Sequence, residues 1–303
     1  MTIQWFPGHM NTTRQQLAER MPATDVVIEL LDARLPESSR NPLLDELRHN
    51  VPGKGPDGRP GPVPCITLLT KDDLADPATT AAWRDRFHHH RHVKTLAVDL
   101  KQKASVRNLP KLARRLAPKA VDKGRPVRVL VVGIPNVGKS TLVNVLRGKA
   151  VARTGDEPAV TKGPQEIKLP GGLVLTDTPG ILWPKFDDPA VGLRLALSGA
   201  IRNTAVDELD LGLAAAEFLL RDYPTRLADR YKLDQLPDPQ APDASVTLLT
   251  ELGKKRGCLQ TGGEVNLTKA SQILLREMQS GKLGRLSFER PTNNPTPTPT
   301  EGN

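Results

Sequence analysis

The chain has 303 residues, room for about two ordinary domains. Its composition is 38% apolar and 25% charged, with aromatics at only 3%, so a globular core must rest on Leu, Val, Ile and Ala. The net charge of +9 is concentrated: residues 101–125 carry nine Lys/Arg against Asp122 alone, while residues 187–290 carry 14 Lys/Arg against 15 Asp/Glu. No run approaches the ~18 apolar residues of a membrane span. The start MTIQWFPGHM has no signal or transit pattern, and two cysteines, Cys65 and Cys258, make no disulfide framework, so a cytoplasmic setting without membrane contact is expected.

In chain order, Asp25 to Leu31 (DVVIELL) is an apolar run of strand length that ends at Asp32-Ala33-Arg34. A helix is expected over 39–50, capped by Ser38 or Ser39, with Leu43, Leu44 and Leu47 along one side. Pro52 to Pro62 is a Gly/Pro-rich surface loop. Pro64 to Leu69 is a second buried strand, followed by Thr70-Lys71-Asp72-Asp73. A polar helix over 77–90 and a strand from His92 to Asp99 come next. A basic amphipathic helix near 106–117 places Val106, Leu109, Leu112 and Leu116 on one face and Arg107, Lys111 and Arg114 elsewhere. Val127 to Val132 and Leu173 to Leu175 complete the strands. Apolar strands alternating with helices imply an α/β fold with a mostly parallel sheet covered on both faces.

Beyond about Trp183 the leucines fall at helical spacing, punctuated by Pro224 and the Pro237–Pro242 cluster. The expected division is an α/β domain over 1–185, a smaller all-helical domain over 186–290 and a Pro/Thr-rich tail over 291–303.

Gly133-Ile134-Pro135-Asn136-Val137-Gly138-Lys139-Ser140-Thr141 matches G-x-x-x-x-G-K-[ST] between a strand and a helix, the context this phosphate-binding loop requires. Glycines let backbone N–H groups turn towards phosphate oxygens, and the helix N-terminus adds positive potential. Lys139 is then placed to neutralise the β- and γ-phosphates, and the Ser140 hydroxyl to ligate Mg²⁺. Asp177-Thr178-Pro179-Gly180 is a D-x-x-G pattern in which Asp177 holds Mg²⁺ through a water and the Gly180 N–H senses the γ-phosphate. Thr161, in the loop between these motifs, is placed to coordinate Mg²⁺ when GTP is bound. Thr70-Lys71-Asp72-Asp73 fits [N/T]-K-x-D: Asp73 reads guanine, the Lys71 stem packs on the base, and Thr70, in place of the usual Asn, donates to guanine N7.

The base-reading motif precedes the phosphate motifs, the reverse of the usual order. The arrangement is that of a circularly permuted GTPase, whose γ-phosphate-sensing segment leads directly into the helical domain. Trp5-Phe6-Pro7-Gly8-His9-Met10, Asp32-Ala33-Arg34-Leu35-Pro36 with Ser38-Ser39-Arg40-Asn41-Pro42, the GIPNVGKST loop and DTPGILWPKF together resemble the ribosome biogenesis GTPase A family over about residues 4–280. The resemblance implies a permuted GTPase domain, a helical RNA-binding domain and action on the large ribosomal subunit and its rRNA, the protein being a monomer away from the ribosome. It also implies a catalytic role for His9 and a K⁺ held with the help of Asn136.

Some residues keep two readings. Ile181 stands where small GTPases carry a water-orienting Gln, so catalysis must come from elsewhere. His9 is either that group or a turn residue fixing the first helix. The basic stretch is either an RNA footprint or a solvated helix face. The guanine-backing loop is placed at Ala97-Val98-Asp99, and His88–His90 with His92 read as a solvated helix end rather than a metal site. A non-catalytic, nucleotide-ordered RNA-binding scaffold and a GTPase of tRNA modification are the competing functions.

Overall fold

The computed structural model describes residues 15, 17–49, 51–54, 60–88, 93–148, 165–169, 172–177, 188–201 and 207–291; for Pro42, His88, Gln165, Glu166, Thr176 and Asp177 it gives the backbone alone. His9, Thr161 and Gly180 lie outside the described residues.

The elements run β1 (Val26–Asp32), α1 (Pro36–Ser39), α2 (Pro42–His49), β2 (Cys65–Thr70), α3 (Pro77–His88), β3 (Val93–Val98), α4 (Leu109–Leu116), α5 (Pro118–Asp122), β4 (Val127–Gly133), α6 (Lys139–Arg147), β5 (Gln165–Leu169) and β6 (Leu173–Asp177). Five helices follow: α7 (Pro189–Ser198), α8 (Glu208–Asp222), α9 (Pro224–Tyr231), α10 (Ala244–Lys255) and α11 (Leu267–Gln279). The strands form one six-stranded sheet in the order β3-β2-β1-β4-β6-β5. Every neighbouring pair is parallel except β5 with β6. With β4 and β6 read before β1 to β3, the sheet has the connectivity of an unpermuted GTPase, as the motif order requires.

β1 and β2 are buried along their whole length, because helices cover both faces of the inner sheet. Val26, Ile28 and Leu30 belong to the same buried cluster as Val106, Leu109 and Leu142. Val27 belongs to a second with Leu44 of α2, and Leu31 to a third with Trp83 and Phe87 of α3. The larger cluster runs without a break into the helical part, through Leu195 of α7 to Leu211, Leu219, Leu248 and Leu274. α8 and α11 approach so closely that a Cβ on Gly212 would stand 2.1 Å from Ser271 Oγ.

Three expectations change. The helix expected over 39–50 is α2, which starts only at Pro42, and a separate short helix, α1, precedes it. Arg40 is extended between them and Asn41, before Pro42, caps α2, its Oδ1 accepting from Leu43 N at 3.0 Å. Ser38 and Ser39 are buried instead of capping that helix. The basic helix near 106–117 is a 3-10 turn (Lys103–Val106) followed by α4, which stops at Ala117 before Pro118. β5 had no counterpart among the strands expected from sequence; it is a short edge strand that buries Ile167 and Leu169 and exposes Lys168.

After α11 the chain turns at Gly281 (φ +79) and Gly284 (φ +85), and a strap from Leu283 to Glu289 runs back to the sheet. Phe288 N donates to Arg34 O at 2.7 Å and Leu286 N to Leu74 O at 2.8 Å. The buried Glu289 carboxylate accepts from Ser38 N at 3.1 Å and sits 3.6 Å from Arg194.

Candidate nucleotide site

Parallel register brings the functional loops to one edge of the sheet. Asp32 pairs with Thr70, Thr70 with Val98, Leu30 with Gly133 and Val131 with Asp177, so β1, β2, β3, β4 and β6 all end there. β1 leads outward to β2 and β3, and the chain then returns to β4 on its other side. The crevice at such a reversal is where open α/β sheets bind ligands.

The loop Gly133–Thr141 closes tightly over this edge. Gly133 (φ +157) has no room for a side chain, because a Cβ would stand 2.6 Å from Leu30 O. Gly138 (φ +105) would meet Leu100 Cδ1 at 2.8 Å. Lys139 is 7% exposed and lies back across the loop, Nζ donating to Gly133 O at 3.2 Å and Ile134 O at 2.9 Å. Ser140 and Thr141 follow Lys139 in the first turn of α6, where the helix N-terminus favours an anion. Asn136 Nδ2 donates to Gly199 O at 3.1 Å, tying the loop to the C-terminal end of α7.

Thr70 joins the two halves of the site. It is fully buried and its hydroxyl donates to Val137 O at 2.8 Å or Leu31 O at 3.1 Å. The hydroxyl expected to donate to guanine N7 is turned here to these two carbonyls, so that Thr70 braces the Gly133–Thr141 loop from the β2 side. Lys71 adopts a left-handed backbone (φ 57) and donates from Nζ to Asp32 Oδ2 at 2.9 Å. Arg34 grips the same carboxylate through Nε at 2.9 Å and Nη2 at 2.7 Å, and Nη2 also donates to Ser198 O at 3.0 Å. Burial alone would raise the Asp32 carboxyl, but the Arg34 and Lys71 charges hold it far below the usual carboxylate range. Burial lowers the Lys71 ammonium against the pull of Asp32.

Asp73 is partly open, its Oδ2 2.7 Å from Lys101 Nζ. Val98 ends β3 beside Thr70, and the Asp99 carboxylate accepts from Lys101 N at 2.9 Å. The residue that reaches Asp73 is therefore Lys101, beyond the Ala97–Asp99 stretch expected to back the base. Leu100 is the other contribution of this loop that the sequence did not reveal, and only its position after a strand signalled it.

The basic stretch is not uniformly open. Lys101 is engaged by Asp73, and Arg125 grips Asp25 at 2.7 and 2.8 Å. Burial raises the Asp25 carboxyl, but its bonds to Arg125 and Arg128 outweigh this and lower it overall. Lys103, Arg107, Lys111, Arg114, Arg115, Lys119 and Lys123 are exposed, while Leu109 and Ala113 anchor α4 to the core.

The donors at hand suit a cation that arrives with phosphates. Ser140 is a hydroxyl at the start of α6, and the Asp177 backbone ends β6 beside Val131 of β4. Among the described residues no cluster of three or more His, Cys, Asp or Glu could cage a metal without a ligand. Hard oxygen donors in small number match Mg²⁺, which keeps waters and phosphate oxygens in its shell. Both cysteines are free and buried. Among the described residues no helix is long and apolar enough to cross a membrane.

A family model described as a 50S ribosome-binding GTPase matches residues 128–215. Ribosome biogenesis GTPase A of Bacillus licheniformis is 42% identical over 96% of this chain and 99% of its own length. The protein of that name from Thermotoga maritima is 29% identical, covering 95% of each. A crystal structure of GNP-bound YlqF from T. maritima has a TM-score of 0.57 at 24% identity, over 92% of this chain and 98% of that one, a likeness of fold.

Proposed function

Because the chain belongs to the ribosome biogenesis GTPase A family, we propose that the GTP it hydrolyses drives a maturation step of the large ribosomal subunit. In this reading the protein binds the pre-ribosomal subunit and its rRNA in a nucleotide-dependent way, as a monomer in the cytoplasm. Residues 1–185 act as the permuted GTPase domain, 186–290 as the helical domain and 291–303 as a tail. The observation that carries the coupling is the pair of hydrogen bonds from Asn136 to Gly199 O, just past α7, and from Arg34 to Ser198 O, its last residue, at 3.1 and 3.0 Å. A loop that takes phosphates and a helix outside the sheet cannot then move independently.

The residues take separate roles. Asp73 reads guanine, and the Lys71 stem flanks it. The N–H groups around Val137 and Gly138, with Thr141, cradle the phosphates, and Lys139 neutralises them. Ser140, Asp177 and Thr161 would hold Mg²⁺, which would supply charge neutralisation to the phosphates when bound. The Gly180 N–H reports the γ-phosphate. Asn136 is suited to K⁺ through its Oδ1, the oxygen of an amide whose nitrogen already serves Gly199. With Ile181 in the place of a water-orienting Gln, His9 is the group assigned to the attacking water. The exposed cations of α4 and its flanks contact rRNA phosphates.

GTP hydrolysis measured with and without large subunits, in K⁺ and in Na⁺, tests this reading. Turnover should be slow alone, rise with large subunits, and rise further in K⁺ than in Na⁺. Turnover indifferent to large subunits, or co-sedimentation with tRNA in their place, would overturn it.

A further inference from the structure

The loop that carries Asp73 is a single 3-10 turn, Asp72–Leu74, between a left-handed Lys71 and an extended Ala75. Such a turn leaves its exit carbonyls without helical partners, so something else must fix it. The exposed ion pair from Asp73 to Lys101, whose side chain is 75% exposed, holds a carboxylate only weakly. The strap does more. Arg285 Nη2 donates to Asp72 O at 2.5 Å and Nε to Ala75 O at 2.6 Å, so one planar guanidinium spans the residues on both sides of Asp73. Leu286 N satisfies Leu74 O at 2.8 Å, and Asp76 N donates to Ser287 Oγ at 3.1 Å. Leu74 packs over Gly281 so closely that a Cβ there would stand 2.6 Å from Leu74 Cδ2.

The other side of the strap is fixed to the helices. Tyr223 OH accepts from Ser287 N at 2.9 Å and donates to Ser287 O at 3.2 Å. Arg226, stacked 5.1 Å over the Tyr223 ring, donates to Arg285 O. The backbone of Arg285 thus belongs to the helical part while its side chain completes the base-reading turn.

We infer that Arg285 is a positioning residue for guanine recognition, holding the Asp72–Ala75 turn so that Asp73 presents both carboxylate oxygens to the base. The inference rests on Asp73 as the base reader. Recognition of this kind tolerates displacements of only about 0.5 Å. The phosphate end has its own support in Gly133–Thr141, so loss of Arg285 acts on affinity rather than on the hydrolysis of bound GTP.

The test measures the Kd for GDP and the single-turnover rate at saturating GTP in full-length wild type, Arg285→Ala, Arg285→Lys, Asp73→Ala and the Arg285→Ala/Asp73→Ala double variant. Arg285→Ala should weaken GDP binding on the order of tenfold with the hydrolysis rate within about twofold of wild type. Lysine keeps the charge but cannot bridge two carbonyls, so Arg285→Lys should recover only part of the affinity. The double variant should bind GDP little worse than Asp73→Ala alone, because both changes act through one carboxylate. If Asp73→Ala itself leaves GDP binding intact, the base-reader assignment fails. If Asp73→Ala weakens binding while Arg285→Ala and Arg285→Lys bind as wild type, or if the two losses simply add, the positioning role is overturned. Should Arg285→Ala fail to fold, Arg285→Lys decides: wild-type affinity refutes the inference, and reduced affinity at unchanged rate supports it.

Discussion

Glu29 lies in the middle of β1, 5% exposed, on the sheet face covered by α2 and α3. Burial pushes its carboxyl up from an ordinary 4.5 to about 7. Two guanidinium groups stand near, yet both are committed: Arg40 and Arg48 each pair with Asp45, and Arg48 also donates to Val63 O at 3.1 Å. Between pH 4.5 and 7 the folded chain therefore holds a proton that the unfolded chain has released, so stability falls as pH rises through this window. At 1.36 kcal/mol per pH unit the full cost is about 3 kcal/mol, of which roughly 2–3 kcal/mol is felt between pH 5 and 8. Glu29→Gln keeps the shape and never ionises. In denaturant unfolding without nucleotide, the variant should gain stability relative to wild type by about that amount from pH 5 to pH 8. Parallel stability profiles for the two proteins would show that the Glu29 carboxylate is not penalised in the fold, and would refute the expected loss.

Other outcomes follow from the site. Lys139→Ala and Ser140→Ala should abolish GTP hydrolysis while circular dichroism stays native; a folded Lys139→Ala protein with normal turnover would remove Lys139 from the site. GTP should outcompete ATP by roughly 10⁴-fold, since adenine leaves the Asp73 carboxylate unpaired, and ATP within tenfold of GTP would contradict this. Thr70→Val removes the hydroxyl bonded to Val137 O at 2.8 Å. A loss of about 1–3 kcal/mol is expected, read as weaker GDP binding with retained fold, and unchanged affinity would deny the brace. Reversing the charges of Lys111, Arg114 and Arg115 should weaken large-subunit binding and lower its log–log salt slope by about 0.7–0.9 for each phosphate that is no longer neutralised. GTP affinity should be untouched; wild-type binding with the same slope would make α4 a solvated face only.

What could be read from sequence was what depends on near neighbours. The GIPNVGKST loop carries its own geometry, and β1, β2 and β4 are mostly apolar runs because both sheet faces are covered. The break before Pro42 was equally local, since a residue preceding proline is driven out of the helix, but the leucine spacing of 43, 44 and 47 masked it. The rest depended on distant contacts. The Thr70 hydroxyl turns inward because β1 places Leu31 O beside it and the phosphate loop folds over the same edge. Lys101 and Arg125 belong to the basic stretch in sequence, yet Asp73 and Asp25 claim them in space. The strap has neither helical nor strand periodicity, so nothing in GKLGRLSFER announces what it touches.

The strap also bears on the order in which the molecule is made. The base-reading turn leaves the ribosome long before its partner, because Ala75 and Arg285 are 210 residues apart. At synthesis rates of roughly 5–20 residues per second, that interval is roughly 10–40 s. Through it, β1 to β3 can pair and the phosphate loop can form, while the carbonyls of Leu74 and Ala75 lack the partners that the strap supplies. If Arg285 positions Asp73, a nascent chain in that state would bind guanine nucleotide on the order of tenfold more weakly. The base-reading turn would reach its full fit only when the last helix and the strap behind it have emerged, so a half-made copy would hold nucleotide at a disadvantage against finished molecules.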